Sequence, residues 1–267
     1  MLTRTKLRVP ALLALLATFA ACSTPRLDVM PRIERTKFGG SIAGSSGGAT
    51  PTKNDLDGDL GLGTTQSEFG ARADLAFGAG KWTFAWSPAS VSGSGTLNGD
   101  ITQGGVTIPA GTAVTTDLKM DMGTAIWTHD FFPGDTVELG LGLGAHLIDF
   151  HSTITSTDPL TPGTATFDQP IPVPVLAARA GLAFGPFDAS ALFSGLKVNA
   201  GGVDATFVDA DLMARYRFFG GVGGRLAGAA VLGWRKTDIK ADYTSGSDSA
   251  NLDLNVSGIY YGFSIGF

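Results

Sequence analysis

Apolar residues recur at every second position through most of the chain beyond residue 65. In residues 69–77, Phe69, Leu75 and Phe77 alternate with small or charged side chains. An alternation with a period of two predicts β-strands that have one apolar face and one small or polar face. The pattern predicts ten strands, near residues 36–45, 69–77, 81–86, 114–126, 137–147, 176–184, 188–198, 208–218, 226–234 and 259–267. The signal for the first strand is weak, and eight strands is the alternative.

The predicted connections differ in length at the two ends of the strands. Short turns rich in Gly and Pro are predicted near 78–80, 132–135, 185–186 and 220–221, whereas polar loops cover 46–65, 93–111 and 156–164. Short turns on one side and longer loops on the other are typical of transmembrane β-barrels, and an even strand count places both termini on the side of the short turns. Pro170, Pro172 and Pro174 precede the sixth strand, and such prolines belong at a strand's start or in an unpaired stretch above the membrane.

The length of the apolar segments indicates strands that cross a membrane. The segments run for roughly 9–11 residues, which is what a tilted strand needs to span a bilayer. The 38 glycines work against long helices, and beyond residue 21 there is no apolar run of roughly 18 residues. Because every backbone group inside the hydrocarbon must be paired, the strands must close into a ring. We therefore predict an all-β chain folded as a transmembrane antiparallel up-and-down β-barrel.

The last nine residues carry the most specific signal in the chain. Tyr261, Phe263, Ile265 and Phe267 are apolar at alternate positions, and the chain stops on the phenylalanine. This segment resembles the C-terminal signal of bacterial outer-membrane β-barrels. The resemblance implies a small barrel of the OmpA- and OmpW-like class in the cell outer membrane of a Gram-negative bacterium, with outer-membrane lipids and the barrel-assembly machinery as partners.

The N-terminus has the features of an export signal. Arg4, Lys6 and Arg8 precede an apolar run that is too short to span a bilayer, so residues 1–21 are predicted to be a signal peptide. Small residues before Cys22 resemble a bacterial lipobox, which implies a lipid (palmitate) on this cysteine and handling by the lipoprotein-sorting machinery. Simple cleavage of the signal is the alternative.

The remaining chain divides into a short linker and one domain. Residues 22–35 are predicted to be a periplasmic tether, and residues 36–267 to be the barrel. Removing the three basic residues of the signal peptide from the 19 basic residues leaves 16 against 24 acidic ones, a net side-chain charge of −8. This charge argues against a nucleic-acid partner, because neutralising phosphates requires a basic surface.

Charged side chains fall mainly on the register opposite the apolar one. A charge that faces lipid at mid-membrane costs roughly 2–4 kcal/mol, so these side chains are predicted to face the lumen. Both signs occur in similar number, which favours ion pairs across a filled lumen over an open, single-sign selectivity ring. The predicted lumen network comprises Arg72, Asp74, Asp117, Lys119, Asp121, Glu138, Arg179, Asp209, Asp211, Arg215, Arg217 and Arg235.

These features predict a non-enzymatic envelope protein with a structural or surface-interaction role. A narrow, porin-like channel for small solutes is the alternative, because ten strands leave room for at most a tortuous water path. A lipid A-type acyl hydrolase is a further alternative, since His151, Ser152 and Asp149 supply the residue types of such an enzyme. Adjacent residues on a strand point to opposite faces, however. No cofactor, metal site or catalytic residue is predicted.

Overall fold

The computed structural model describes residues 25–45, 51–103, 106–132, 136–200, 202–220, 226–245 and 248–267. The predicted signal peptide and Cys22 lie outside the described residues. Across these ranges, no helix is both long and apolar enough to cross a membrane.

The described residues form thirteen β-strands in chain order. Their bounds are β1 (Arg26–Ser45), β2 (Asn54–Asp55), β3 (Thr65–Phe77), β4 (Gly80–Thr96), β5 (Ile101–Gln103), β6 (Val106–Ile108), β7 (Ala113–Asp130), β8 (Val137–Ser156), β9 (Thr164–Phe184), β10 (Phe187–Ala200), β11 (Val203–Phe219), β12 (Ala227–Ser245) and β13 (Asp248–Gly266).

Ten long strands form a closed antiparallel ring. Each long strand pairs with its neighbours along the chain, and β1 closes the ring by pairing with β13, for example at Ile33 and Tyr261. The three short strands β2, β5 and β6 belong to the connections. The predicted all-β, up-and-down barrel of ten strands is therefore confirmed. We call the end with the termini the turn end, and the opposite end the loop end.

The barrel begins earlier than the sequence pattern predicts. β1 starts at Arg26, whereas the predicted start is residue 36, so most of the predicted 22–35 tether is barrel wall. This stretch pairs with β3 on one edge and with β13 on the other. Pro25 and Pro31 were the basis for predicting a tether, yet Pro31 lies within β1 and pairs with Ala71. Arg32 and Glu34 instead face the lumen as a buried ion pair, while Ile33 faces outward.

The barrel wall reverses its polarity about halfway along the strands. In the half at the turn end, outward positions are apolar and most inward positions are polar, apart from Met30, Met213 and Val231. On β7, Trp127 points outward and Thr128 inward. In the half at the loop end, Met120 and Met122 point inward and are buried, while Lys119 points outward. We call these the membrane half and the outer half. The first matches a lipid environment, and the second matches a water-exposed protein with an apolar core.

The outward apolar residues of the membrane half form a continuous belt. Exposed large side chains of this belt occur on every long strand except β7, where the outward Trp127 is partly exposed. They include Val29, Phe69, Phe84, Leu141, Leu143, Leu176, Leu182, Phe193, Leu212, Leu232, Ile259 and Phe263. A belt of this kind around a closed sheet is what a bilayer core requires.

Two connections fold into the loop end of the barrel. The β1–β3 connection inserts Leu56, Leu60 and Leu62, each 0% exposed, into the apolar core of the outer half. The β5–β6 hairpin contacts β1 and also β9, which lie on opposite sides of the ring, so it crosses the barrel mouth. Ile101 and Ile108 of this hairpin are buried in the same core. The loop end is therefore closed by the protein's own connections.

Candidate functional site: the filled lumen

A network of buried ion pairs lies across the lumen in the membrane half. Arg72 on β3 contacts Asp74 through Nε and Asp211 through Nη1, each at 3.0 Å. Asp211 also accepts a hydrogen bond of 2.5 Å from the hydroxyl of Tyr260. The guanidinium of Arg32 lies over the Tyr260 ring, 4.3 Å from its centroid. Residues from β1, β3, β11 and β13 thus meet at one carboxylate.

A second cluster is centred on Arg235 and joins the first through a serine. The Nε and Nη2 atoms of Arg235 donate to the two carboxylate oxygens of Asp209 at 2.9 and 3.1 Å. Asp209 also accepts a hydrogen bond of 2.7 Å from Thr237. The Ser87 hydroxyl accepts hydrogen bonds from both Arg235 and Arg32. Bidentate pairs of this kind fix side-chain geometry as well as neutralising charge.

Arg179 on β9 extends the network to the other side of the barrel. Its Nη2 donates to the hydroxyl of Thr83, which in turn donates to Asp74 at 2.5 Å. Its Nε donates to Thr128 at 3.2 Å. Only 4% of Arg179 is exposed. The lumen at this level is therefore filled by hydrogen-bonded side chains from several strands.

A blind vestibule lies below this layer and opens at the turn end. Its volume is about 500 Å³. Ion pairs line it: Arg215 contacts Asp188 at 2.5 Å and Asp28 at 3.0 Å, and Lys81 contacts Glu138 at 2.6 Å. The layer formed by Asp74 and Arg179 also borders this space, so the vestibule ends at the buried network.

His146 marks the boundary between the polar layer and the apolar core above it. The ring is 0% exposed, with Nδ1 3.0 Å from the Thr124 hydroxyl and Nε2 2.9 Å from the Ser194 hydroxyl. One face packs on Phe207, at a ring distance of 4.8 Å. Both ring nitrogens thus have hydroxyl partners and no part of the side chain is open to solvent, which is the pattern of a structural histidine.

The apolar core fills the lumen of the outer half. It combines inward residues of the wall with residues of the two inserted connections. Its buried members include Phe38, Leu56, Leu60, Leu62, Val91, Leu97, Ile101, Ile108, Leu118, Met120, Met122, Ile148, Phe150, Ile154, Phe207, Leu254 and Val256. An apolar plug above an ion-paired layer leaves the vestibule as a space that opens at the turn end.

Most of the charged residues predicted to face the lumen lie on the inner face of the wall. These are Arg72, Asp74, Glu138, Arg179, Asp209, Asp211, Arg215, Arg217 and Arg235. The prediction is wrong for Asp117, Lys119 and Asp121, which point outward in the outer half. The alternation on β7 was read correctly, but its apolar register faces the outer core rather than lipid. Asp121 accepts a hydrogen bond from Lys119 and raises the pKa of that exposed ammonium.

Several residues of the lumen network were not found from the sequence. Arg32 and Glu34 were assigned to the tether, so their alternation was not counted. Tyr260 was assigned with Gly262 and Ser264 to the small or polar face of the last strand. That face points into the lumen, but the sequence did not single out Tyr260 as a member of the network. A consistent alternation from residue 28 onward was the signal that could have identified the first pair.

The residues of the C-terminal signal lie in the outward belt. Tyr261, Phe263, Ile265 and Phe267 point outward on or just beyond β13, next to β1 and β12. The backbone of Phe267 pairs with that of Leu27 at the start of β1. The terminal segment therefore lies at the seam that closes the ring.

The residue types of an acyl hydrolase do not meet in one site. His151 is exposed on the outer surface, with Nδ1 3.7 Å from Asp168, while the adjacent Ser152 is buried on the inner face. Asp149 also lies on the outer surface. His151 and Ser152 therefore cannot act as a base and nucleophile pair. Within the described part of the chain, no group of three or more His, Cys, Asp or Glu residues is arranged to hold a metal ion.

Comparisons with known proteins give only distant structural similarities. No protein-family model and no curated protein matches the chain. Similar solved structures include the outer membrane protease OmpT from Escherichia coli, at 8% identity over 92% of this chain and 98% of that one, with a TM-score of 0.48. The attachment invasion locus protein Ail of Yersinia pestis matches at 11% identity, over 90% and 99%, with a TM-score of 0.33. A Pseudomonas aeruginosa FadL homologue matches at 10% identity, over 94% and 92%, with a TM-score of 0.37.

These similarities concern the fold alone, because the identities are low and the named roles differ. The closed ten-stranded ring and its continuous apolar belt are the features that define a membrane β-barrel. The chain folds as a transmembrane β-barrel.

Proposed function

We propose that this protein is a non-conducting envelope protein whose barrel anchors and displays a folded outer half. One observation carries the proposal: above the vestibule the lumen is filled, first by the ion-pair network and then by the apolar core. The channel alternative requires a continuous polar path, and the outer core lacks one among its described members. A structural or surface-interaction role needs no such path.

The surface of the outer half supports a role in display. Its strands extend beyond the belt and carry charged side chains of both signs in surface pairs, such as Lys240 with Asp253 at 3.3 Å and Lys236 with Asp238 at 3.0 Å. Exposed pairs of this kind contribute little stability. They give the outer half a hydrated surface, on which an extracellular partner would meet mixed charge rather than a strongly acidic or basic patch.

We further propose that Cys22 carries a lipid and that the barrel-assembly and lipoprotein-sorting machineries handle the chain. β1 begins at Arg26, and Leu27 already belongs to the outward apolar surface. Three residues separate Cys22 from β1, which span at most about 14 Å when extended. A lipid on Cys22 would then enter the leaflet beside the turn end of the barrel.

Single-channel recording in planar bilayers tests the proposed function. Folded protein, shown to be inserted and heat-modifiable on a gel, is expected to give no reproducible conductance steps. A variant in which Gly-Ser linkers replace residues 52–63 and 98–111, combined with Arg72→Ser and Arg179→Ser, removes much of the filling and provides the positive control. Steps in the parent protein that change in Arg179→Gln but not in Asp121→Asn would instead establish an open lumen.

A further inference from the structure

One carboxylate in the lining of the vestibule differs from the others. Asp130, near the end of β7, is 7% exposed, and its Oδ1 atom has no hydrogen-bond partner. The other acidic residues that line the described part of the vestibule each contact a cation within 4.0 Å, and these pairs are Asp28 with Arg215, Asp74 with Arg72, Glu138 with Lys81, and Asp188 with Arg215 and Arg217. A buried carboxylate without such a partner is costly, so Asp130 indicates a cation that the chain itself does not supply.

The cations that share the vestibule with Asp130 are engaged elsewhere or distant. Lys81, on the neighbouring strand β4, contacts Glu138 at 2.6 Å. Arg179, on β9, donates to two threonine hydroxyls of the layer above. Arg26 is exposed at the rim of β1, which lies three strands from β7 in the ring. A partner for Asp130 therefore has to come from the solvent at the turn end.

A glycine on the neighbouring strand makes room for this carboxylate. Asp130 lies opposite Gly140 in the ladder between β7 and β8. A Cβ atom added at Gly140 would clash with Oδ1 of Asp130, so any other residue there would displace the carboxylate. The aspartate thus occupies the inner face of the wall at a position where its neighbour leaves space, beside a vestibule of about 500 Å³.

The rest of the lining indicates the other part of the ligand. Ala183, Met213 and Ala229 border the vestibule from β9, β11 and β12, so one side of it is apolar. A metal ion is a poor match, because hard cations take six or more oxygen ligands and the described residues offer no group of three or more metal-binding side chains. An unpaired carboxylate on one side and apolar side chains on another match an ammonium group that carries a short hydrocarbon chain. The volume falls within the range of small-molecule sites, about 300–1,000 Å³.

We propose that the vestibule binds a primary aliphatic amine, with the ammonium group on the carboxylate of Asp130 and the hydrocarbon chain against Met213 and Ala229. The ammonium supplies the charge that Asp130 lacks, and the chain fills the apolar side of the space. This site does not depend on whether the lumen conducts, because it lies on the turn-end side of the ion-pair network.

Isothermal titration calorimetry with 1-pentylamine tests the proposal on the protein folded in dodecyl maltoside micelles. At neutral pH the amine is protonated, because its pKa lies near that of lysine, about 10.4. The parent protein is expected to bind it saturably, and Asp130→Asn is expected to weaken binding by at least about tenfold through loss of the charge. Asp149→Asn removes the same charge from the outer surface and should leave the affinity unchanged. The uncharged 1-pentanol, which has the same chain, should bind at least about tenfold more weakly than the amine.

A stability measurement without amine separates a ligand site from a structural carboxylate. Asp130→Asn is expected to unfold at the same urea concentration as the parent protein or at a higher one, because asparagine carries no buried charge. A lower midpoint, or a variant that does not fold, would assign the charge a role within the protein and overturn the proposal. So would equal affinity of the amine for the parent and Asp130→Asn, no binding to the parent, or equal binding of 1-pentanol.

Discussion

At the scale of single residues, the lumen of the membrane half depends on charges that have been removed from water. Asp209 and Arg235 are 2% and 8% exposed, and each satisfies the other through two hydrogen bonds. Removing one partner of such a pair leaves an uncompensated buried charge, whereas replacing both partners by apolar groups is often neutral. Substitutions of Asp209 and Arg235, singly and together, therefore test whether the two buried charges compensate each other.

Arg235→Met is expected to lower the free energy of unfolding by about 3–5 kcal/mol, because Asp209 is left without its cation. The double variant Arg235→Met with Asp209→Leu is expected to recover at least about half of that loss. Urea unfolding in detergent micelles, followed by tryptophan fluorescence, measures both. Lys240→Ala breaks an exposed pair and is expected to cost about 0–1 kcal/mol. Equal losses in the single and double variants would contradict the account.

A second residue-scale prediction concerns the packing of Tyr260. A Cβ atom added at Gly233 would lie 2.1 Å from Cζ of that ring, whereas one added at Gly39 would meet nothing within 4 Å. Gly233→Ala is expected to cost about 1–3 kcal/mol through overpacking, and Gly39→Ala should cost less. The same unfolding measurement compares the two variants. A Gly233→Ala protein as stable as Gly39→Ala would show that the Tyr260 ring does not lie over the glycine.

At the scale of elements, the first strand closes the barrel. β1 pairs with β3 from Arg26 to Lys37 and with β13 from Asp28 to Ser45. Without residues 26–35, the edges of β3 and β13 at the turn end would expose unpaired backbone groups to lipid. Such exposure costs several kcal/mol for each group.

A chain that begins at residue 36 is therefore expected not to fold into a barrel, whereas one that begins at Pro25 is expected to fold. Refolding into detergent, with heat modifiability on a gel as the readout, compares the two truncations. A heat-modifiable barrel from the chain that begins at residue 36 would restore the interpretation of residues 22–35 as a tether.

Sequence reasoning succeeded where the charged residues of a strand lie in the membrane half. On β11, apolar residues face lipid and charges face the lumen through the membrane half, so Asp209, Asp211 and Arg215 were assigned to the correct face. The rule failed on β7, where the apolar register changes from the inner face, near Met120, to the outer face, near Trp127. Periodicity identifies two faces but does not state which environment each one meets. That depends on where the strand leaves the membrane, which is a property of the assembled barrel.

The prolines of β9 show a different limit. The sequence predicts that Pro170, Pro172 and Pro174 lie at a strand's start or in an unpaired stretch above the membrane. The structure places them inside β9, paired with β8, with their nitrogens on the edge that β10 leaves unpaired beyond Leu176. The length of β10, which determines where pairing stops, has no comparably clear signal in its sequence. The sequence therefore indicates that the prolines cannot pair on one edge, but it does not indicate where the pairing between β9 and β10 stops.

At the scale of the whole molecule, one barrel combines two solvent environments. The membrane half places apolar side chains outward and ion pairs inward, and the outer half reverses both. The inserted connections are consistent with this reversal, because the apolar interior of the outer half needs Leu56, Leu60 and Leu62 to fill it. The non-conducting proposal rests on the apolar core of the outer half and on the ion-pair network that closes the vestibule below it.

The lipid proposed on Cys22 would attach the molecule to the membrane at a second place, in addition to the barrel. Metabolic labelling with a palmitate analogue is expected to mark the parent protein but not Cys22→Ser. The matched control is Ser23→Cys in the Cys22→Ser background, in which the cysteine is moved by one position and is expected to remain unlabelled. An unlabelled parent protein would remove the anchor and leave simple cleavage of the signal.

The reversal of polarity at the membrane boundary is tested most directly by cysteine labelling on intact cells. Single cysteines at Lys119, Met120 and Ala125 occupy the outer surface, the outer core and the belt of the same strand. A membrane-impermeant maleimide is expected to label only position 119 on cells, and all three positions after denaturation. Labelling at 120 with protection at 119 would reverse the register of β7 and contradict the account, and labelling at 125 would place the belt in water.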